Sequence, residues 1–316
     1  MVGGVFQHPV RLHTRSITVK SGLLFFIQLF ASGIAVGCLY ALIALGFVLI
    51  IKATDILNFA HGEIIMISSL LCYFLMAKYH FSFLTASLIT ILIAALLGVL
   101  TERVVLRPML GEPIFAVVMI TIGLSIFLRS LAGITFGHDN YVFPSPFPKE
   151  PIHLAGVTLS MTQIWVMICT ALLVFIFFIF FKYSRTGLAM RGTANNQETA
   201  LLMGISTKRV FAMVWGIAFM TAAIAGIFLA NVMVVNIGLT FTAISAFPAI
   251  ILGGLESIPG AIIGGLAIGV IENLAGGYLD QMIGGGVKDV TPFVVLFLIL
   301  MFKPYGLFGK EEIERV

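Results

Sequence analysis

Long apolar runs alternate with short polar connections along this 316-residue chain. The runs fall at 22–51, 64–77, 83–100, 114–135, 161–181, 210–231, 239–252, 261–274 and 292–302. A helix needs about 20 apolar residues to cross a bilayer, so most of these segments are long enough and a few are short. Backbone polar groups in lipid have to be satisfied within the segment, which favours helices. The strict apolar–polar alternation of barrel strands is missing. The pattern predicts an all-α polytopic membrane protein with about eight to ten transmembrane helices, some broken or re-entrant.

Composition agrees. Hydrophobic residues make up 60% and charged residues 10% of the chain, whereas a soluble domain carries about a quarter charged residues. The expected organisation is a polar, basic arm at 1–21, one membrane domain at 22–309, and a charged tail at 310–316. That leaves no room for a soluble domain, so an energy source or receptor is expected on separate chains. The arm and the start of the first run imitate a signal peptide, but the run continues for about thirty residues, which reads as an uncleaved span. The net charge of +4 sits in short loops beside spans and does not point to nucleic acid. By the positive-inside rule the basic loops 101–113 and 182–209 and the C-terminus are cytoplasmic, and the arginine-free 136–160 connection is outside. Alternating back from there puts the N-terminus outside, against its basic arm. Either 22–51 is not one simple span or the arm is an exception.

Four polar interruptions hold the candidate chemistry. In 185–209, which carries Arg185, Arg191, Lys208 and Arg209 against the single acid Glu198, a short helix is predicted. Asn195 or Asn196 caps its start, and Gly204 suits the left-handed position after its end. Ala200, Leu201, Leu202 and Met203 form its apolar face, and Ser206 or Thr207 caps the next span. The stretch 52–63 places Asp55, Asn58, His61 and Glu63 among apolar residues, with Gly62 allowing a break. It is either an interfacial loop or a re-entrant piece lining a path, because ionisable residues at membrane depth cost roughly 2.5–3.5 kcal/mol and tend to be functional. Gly253, Gly254, Pro259 and Gly260 mark a second break. His138-Asp139 in the fourth has no nucleophile or metal partner spaced near it. Gly33/Gly37, Gly260/Gly264 and Gly265/Gly269 have the small-xxx-small spacing of close helix contacts. Cys38, Cys72 and Cys169 lie singly in apolar runs and read as buried structural thiols.

Glu198-Thr199-Ala200 followed by Gly204-Ile205 resembles the E-A-A-x-x-x-G signature of bacterial ABC importer permeases, with Thr199 in place of the middle alanine. Four further stretches, Tyr40–Gly46, Asn58–Glu63, Glu102 to Pro108 and Leu252–Gly265, resemble the permease subunits of branched-chain amino acid ABC importers, the smaller H-type above all. So does Ser184–Arg191. The resemblance covers about residues 24 to 310, with the long arm as a departure. It implies a non-enzymatic transport subunit in a bacterial inner membrane. The implied partners are a second homologous permease, two cytoplasmic ATPases and a periplasmic substrate-binding protein. ATP and Mg would be bound by the ATPases and no cofactor by this chain, which lacks G-x-x-x-x-G-K-[ST]. It implies alternating access, with Glu198, Ala200, Leu201, Leu202, Gly204, Arg185 and Arg191 coupling to the ATPase. Asn58, His61, Gly62, Glu63, Gly253, Gly254, Pro259 and Gly260 would line the path or act as hinges. The 136–160 and 276–291 loops would offer surface to the receptor. Relatives adapted to urea, amides or aromatic acids, a stand-alone secondary transporter or channel, and an intramembrane enzyme using His61 and Glu63 are the competing readings.

Overall fold

The computed structural model describes residues 11–148, 150–154 and 156–309. The tail 310–316 and the first ten residues of the arm lie outside the described residues. Helix α1 (Arg11–Thr54) is followed by α2 (His61–Ala77), α3 (Phe83–Thr101) and α4 (Ile114–Phe136). A small antiparallel hairpin, β1 (Ile152–Leu154) and β2 (Val157–Leu159), precedes α5 (Met161–Tyr183). Then come α6 (Arg185–Asn195), α7 (Gln197–Leu202), α8 (Thr207–Val232), α9 (Thr240–Ser245), α10 (Phe247–Gly253), α11 (Ile258–Ile283) and α12 (Val287–Phe302). Among the described residues, six helices are long and apolar enough to cross a membrane; His61–Ala77 and Ile237–Gly253 are shorter apolar helical segments.

The centre is α1. In its most apolar window 83% of residues are buried, and 72% in α8, against 22%, 11% and 17% in α3, α4 and α5. The first two therefore form the core, and the other three present their apolar faces to lipid. Two glycine motifs read separately in the sequence meet here. A Cβ on Gly33 would lie 2.8 Å from Val270 Cα, and one on Gly37 2.7 Å from Leu266 Cα. A Cβ on Gly269 would run into the Gly37 backbone. Rising numbers on α1 face falling numbers on α11, so the pair is antiparallel. Gly226 of α8 lies equally close to α2, where Ser69 Oγ donates to the Gly226 carbonyl at 2.7 Å.

Contacts at the two ends order the passes. Thr54, Gly111 and Gln197 line one shallow pocket, so the end of α1, the 101–113 connection and α7 share the basic end. At the other end Gln28 of α1 pairs through its amide with Thr158 of the hairpin, at 2.6 and 2.7 Å. Tyr73 of α2 stacks on Tyr141, which bridges to Val235. Residues 22–51 therefore form a single span, and α1 enters the bundle from the end that carries the arginine-free connection.

Several boundaries differ from the sequence reading. Helix α3 does not stop at 100 but continues through a π turn (Glu102–Leu106) and a 3-10 turn (Arg107–Met109). There Glu102 accepts two bonds from Arg107, at 3.1 and 2.8 Å, and Arg107 also reaches the Lys208 carbonyl. The 276–291 segment is not a polar loop. Helix α11 runs to Ile283 and α12 starts at Val287, with only Gly284, Gly285 and Gly286, all at positive φ, between them. The 239–252 run is split at Ala246, because Pro248 cannot donate to the helix ladder. The 185–195 stretch is helical, capped by Ser184 Oγ accepting from Gly187 N at 2.8 Å.

Gly269→Val is expected to destabilise the purified protein by about 1–3 kcal/mol through overpacking, read as a lower melting temperature. Gly123→Ala on α4, where an added Cβ meets nothing within 4 Å, should be neutral or slightly stabilising in the same assay.

Candidate translocation site

After Thr54 the chain turns at Asp55, which adopts φ 56°. It runs without helix through residues 55–60 and restarts at His61. Asn58 shapes this return: its Oδ1 accepts from Ala60 N at 3.1 Å and its carbonyl from His61 N at 3.2 Å. The helix therefore begins beside Gly46, well inside α1. The break lies before His61, and Gly62 is part of the first turn, where an added Cβ would lie 3.0 Å from Ala243 Cβ and from the Thr240 carbonyl oxygen.

Asn58, His61 and Glu63 are all fully buried. The His61 ring lies 4.3 Å from Phe47, and a Cβ on Gly46 would come within 2.5 Å of it. Glu63 Oε1 accepts from Arg129 Nη2 of α4 at 2.8 Å, and the Glu63 side chain is only 1% exposed. The guanidinium also lies 5.5 Å from the Phe241 ring. Both charges face a cavity of about 400 Å³. Phe47, Phe59, Phe247 and Phe293 form its aromatic wall, Ile122, Ile244 and Leu296 its aliphatic wall, and Ser125 and Thr240 add hydroxyls. Arg129 lies seven residues before the end of α4, about 10 Å along the helix, so its side chain holds a charge well within the span.

Gly253, Gly254, Pro259 and Gly260, expected to line the path or act as hinges, are not among the residues that line this cavity. They form a tight joint at the basic end, where Gly253 and Gly260 approach backbone to backbone. Ser257 Oγ accepts from Gly260 N at 3.1 Å, and Leu252 and Gly253 carbonyls accept from Leu307 and Phe308. Pro259 borders a separate groove with Lys52 and Arg191.

At the same end α7 is closed off on both sides. Asn196 Oδ1 accepts from Thr199 N at 2.8 Å, so Asn196 and not Asn195 is the cap. Gly204 takes φ 81°; its N–H bonds the Leu201 carbonyl and Ile205 N–H bonds the Ala200 carbonyl. That is the paired arrangement that ends a helix on a left-handed glycine. Leu201, Leu202 and Met203 are 55%, 88% and 78% exposed. Ala200, expected on the outward face, is buried, because α7 packs against α6 and α8 on that side. Glu198, Arg185 and Arg191 are exposed. Ser206 occupies the cap position of α8 without a side-chain bond.

Residues 29–302 match the family model described as the permease component of the branched-chain amino acid transport system. This chain is a member of that family. The permease is 36% identical to the high-affinity branched-chain amino acid transport permease LivH of Salmonella typhimurium, over 93% of this chain and 98% of that one. It is 35% identical to LivH of Escherichia coli K12 over the same shares, and 32% identical to BraD of Pseudomonas aeruginosa over 92% and 98%. A solved structure, PsaBC from Streptococcus pneumoniae in complex with Fab, shares the fold with a TM-score of 0.50 at 14% identity, covering 93% of this chain and 97% of that chain.

The permease is thus a multi-pass membrane transport subunit, and its most costly internal group was missed in the sequence. Arg129 stands alone in the apolar run 114–135, a signal as direct as any in 52–63. Glu272 was missed too: it is buried on α11, with Lys288 Nζ 3.8 Å away. Breaking a buried pair leaves one charge uncompensated, whereas removing both need not. Arg129, 38% exposed, leaves the pair half-buried; Arg129→Met alone strands the buried Glu63 and should lower the melting temperature, and Glu63→Leu with Arg129→Met should recover most of that. Thermal melts of the three variants in nanodiscs check the order.

Proposed function

We propose that this permease moves branched-chain or similarly hydrophobic amino acids into the cell by alternating access, driven by ATP hydrolysed on partner subunits. The observation that carries the reading is the shape of α7. It is a short helix capped at both ends that turns Leu201, Leu202 and Met203 to solvent at the basic end. Folding gives no reason to expose three apolar side chains on a fixed peg. A partner with an apolar cleft does, and a few such buried anchors carry most of an interface's energy. Glu198 and the exposed Arg185 and Arg191 would set the register of that contact.

The assembly we propose holds this chain, a homologous second permease, two cytoplasmic ATPases that bind ATP and Mg, and a periplasmic substrate-binding protein, in a bacterial inner membrane. This chain would do no chemistry and bind no cofactor. Membership of the permease family and the basic residues around α7 support this reading. Closing of the ATPases would displace α7. Through α6 and α8 the movement would reach α1 and α2, and with them the walls of the cavity. The surface offered to the receptor narrows to the 136–160 connection and its hairpin, because α11 and α12 take up most of 276–291.

Leu202→Asp, Glu198→Lys and Gly204→Val are each expected to cut receptor-stimulated ATP hydrolysis and amino-acid uptake in proteoliposomes at least tenfold. Membrane insertion should stay close to wild type in all three and the melting temperature in the first two, whereas Gly204→Val, at φ 81°, should also lower it. Uptake at wild-type rates in all three, or uptake by this chain alone without ATP, would refute the coupling role of α7.

A further inference from the structure

The Glu63–Arg129 pair is only half made. A carboxylate and a guanidinium prefer two parallel bonds, and Glu102 and Arg107 of this same chain make both. Glu63 and Arg129 make one, leaving Glu63 Oε2 and Arg129 Nε buried without a hydrogen-bond partner among the described residues. Buried polar atoms are nearly always satisfied, and an orphaned one asks for an explanation. Here both orphans belong to charged groups that border the 400 Å³ cavity, a volume within the range of small-molecule sites.

We propose that this pair is a binding site for the zwitterionic head of one free amino acid. The α-ammonium docks on the Glu63 carboxylate as a turn of that side chain brings the buried Oε2 to the cavity, the α-carboxylate on the unused N–H groups of the partly exposed Arg129, and the apolar side chain lies against Phe47, Phe247 and Phe293. This deepens the transport reading above and rests on it. A zwitterion satisfies both charges at once. An acid without an ammonium faces Glu63 with like charge, an amide without a carboxylate leaves Arg129 short of an acceptor, and urea has neither charge. The aromatic wall favours bulky apolar side chains but has no group that reads their shape, so discrimination among them falls to the receptor.

The test is binding of radiolabelled leucine to the assembled importer in nanodiscs, without receptor, with leucinamide and 4-methylpentanoate as competitors. Each competitor should be at least tenfold weaker than leucine. Arg129→Gln should weaken leucine at least tenfold and leave leucinamide unchanged; Glu63→Gln should weaken leucine and leave 4-methylpentanoate unchanged. A merely structural pair would move all three ligands together. If a variant fails to assemble, the wild-type competitor series decides. Competition by either analogue equal to that of leucine, or no leucine binding by an assembly that imports leucine with ATP, overturns the site and leaves the transport reading standing. ATP-driven import of urea or short amides, with none of leucine, overturns that reading and the site with it.

Discussion

Lipid gives apolar helices little reason to associate, since a leucine is as well solvated by acyl chains as by another helix. What holds this bundle is the close approach of backbones at glycine. Gly33 and Gly37 of α1 lock onto Gly265 and Gly269 of α11, and Gly226 of α8 lies against α2. These seams fix α1 at the centre, and everything else is arranged around it. Because α1 is gripped on one side by α11 and packs against α8 on another, the chain that leaves it at Thr54 can fold back inside the bundle. There it starts α2 beside Gly46, beneath the cover of Phe47 and Phe219.

That placement is what makes a charged cavity possible. An acid at membrane depth costs several kcal/mol unless it is paired, and α4 supplies the partner through a single arginine. The pair is not sealed. Its two residues border open volume, and a buried acceptor and a buried donor are left without a partner among the described residues, which distinguishes it from the doubly bonded Glu102–Arg107 pair at the basic end. One pair fastens α3 to the start of α8; the other faces a space of ligand size. The same chemistry at two depths serves two purposes.

Local features were legible in the sequence because local residues create them. Asn196 and Gly204 mark the ends of α7 whatever surrounds them, and the glycine spacings announce close contacts before the partner is known. Features made by distant residues were not legible. Nothing near Glu63 points to Arg129, 66 residues away, and nothing near Gly33 says that its partner is Gly269. The boundaries of α3 and α11 were misplaced for a different reason. Polar residues such as Glu102, Arg107 and Asp280 read as loop, yet they lie where the helix leaves lipid and can continue in helical form. Asp280 Oδ1 accepts from Val287 N at 2.8 Å, closing the glycine turn. Ala200 was placed outward because its neighbours are; on a six-residue helix one side has to face the protein.

In the alternating access proposed above, the space beside Glu63 and Arg129 opens in turn to the two sides of the membrane under the control of nucleotide. Labelling Ser125→Cys, a residue lining that space, with a membrane-impermeant maleimide in the assembled importer measures this directly, with Cys38, Cys72 and Cys169 replaced by serine. The label is predicted to react from the cytoplasmic side without nucleotide and from the outer side when ATP is trapped. Equal reactivity in both states, or none from either side, would contradict it.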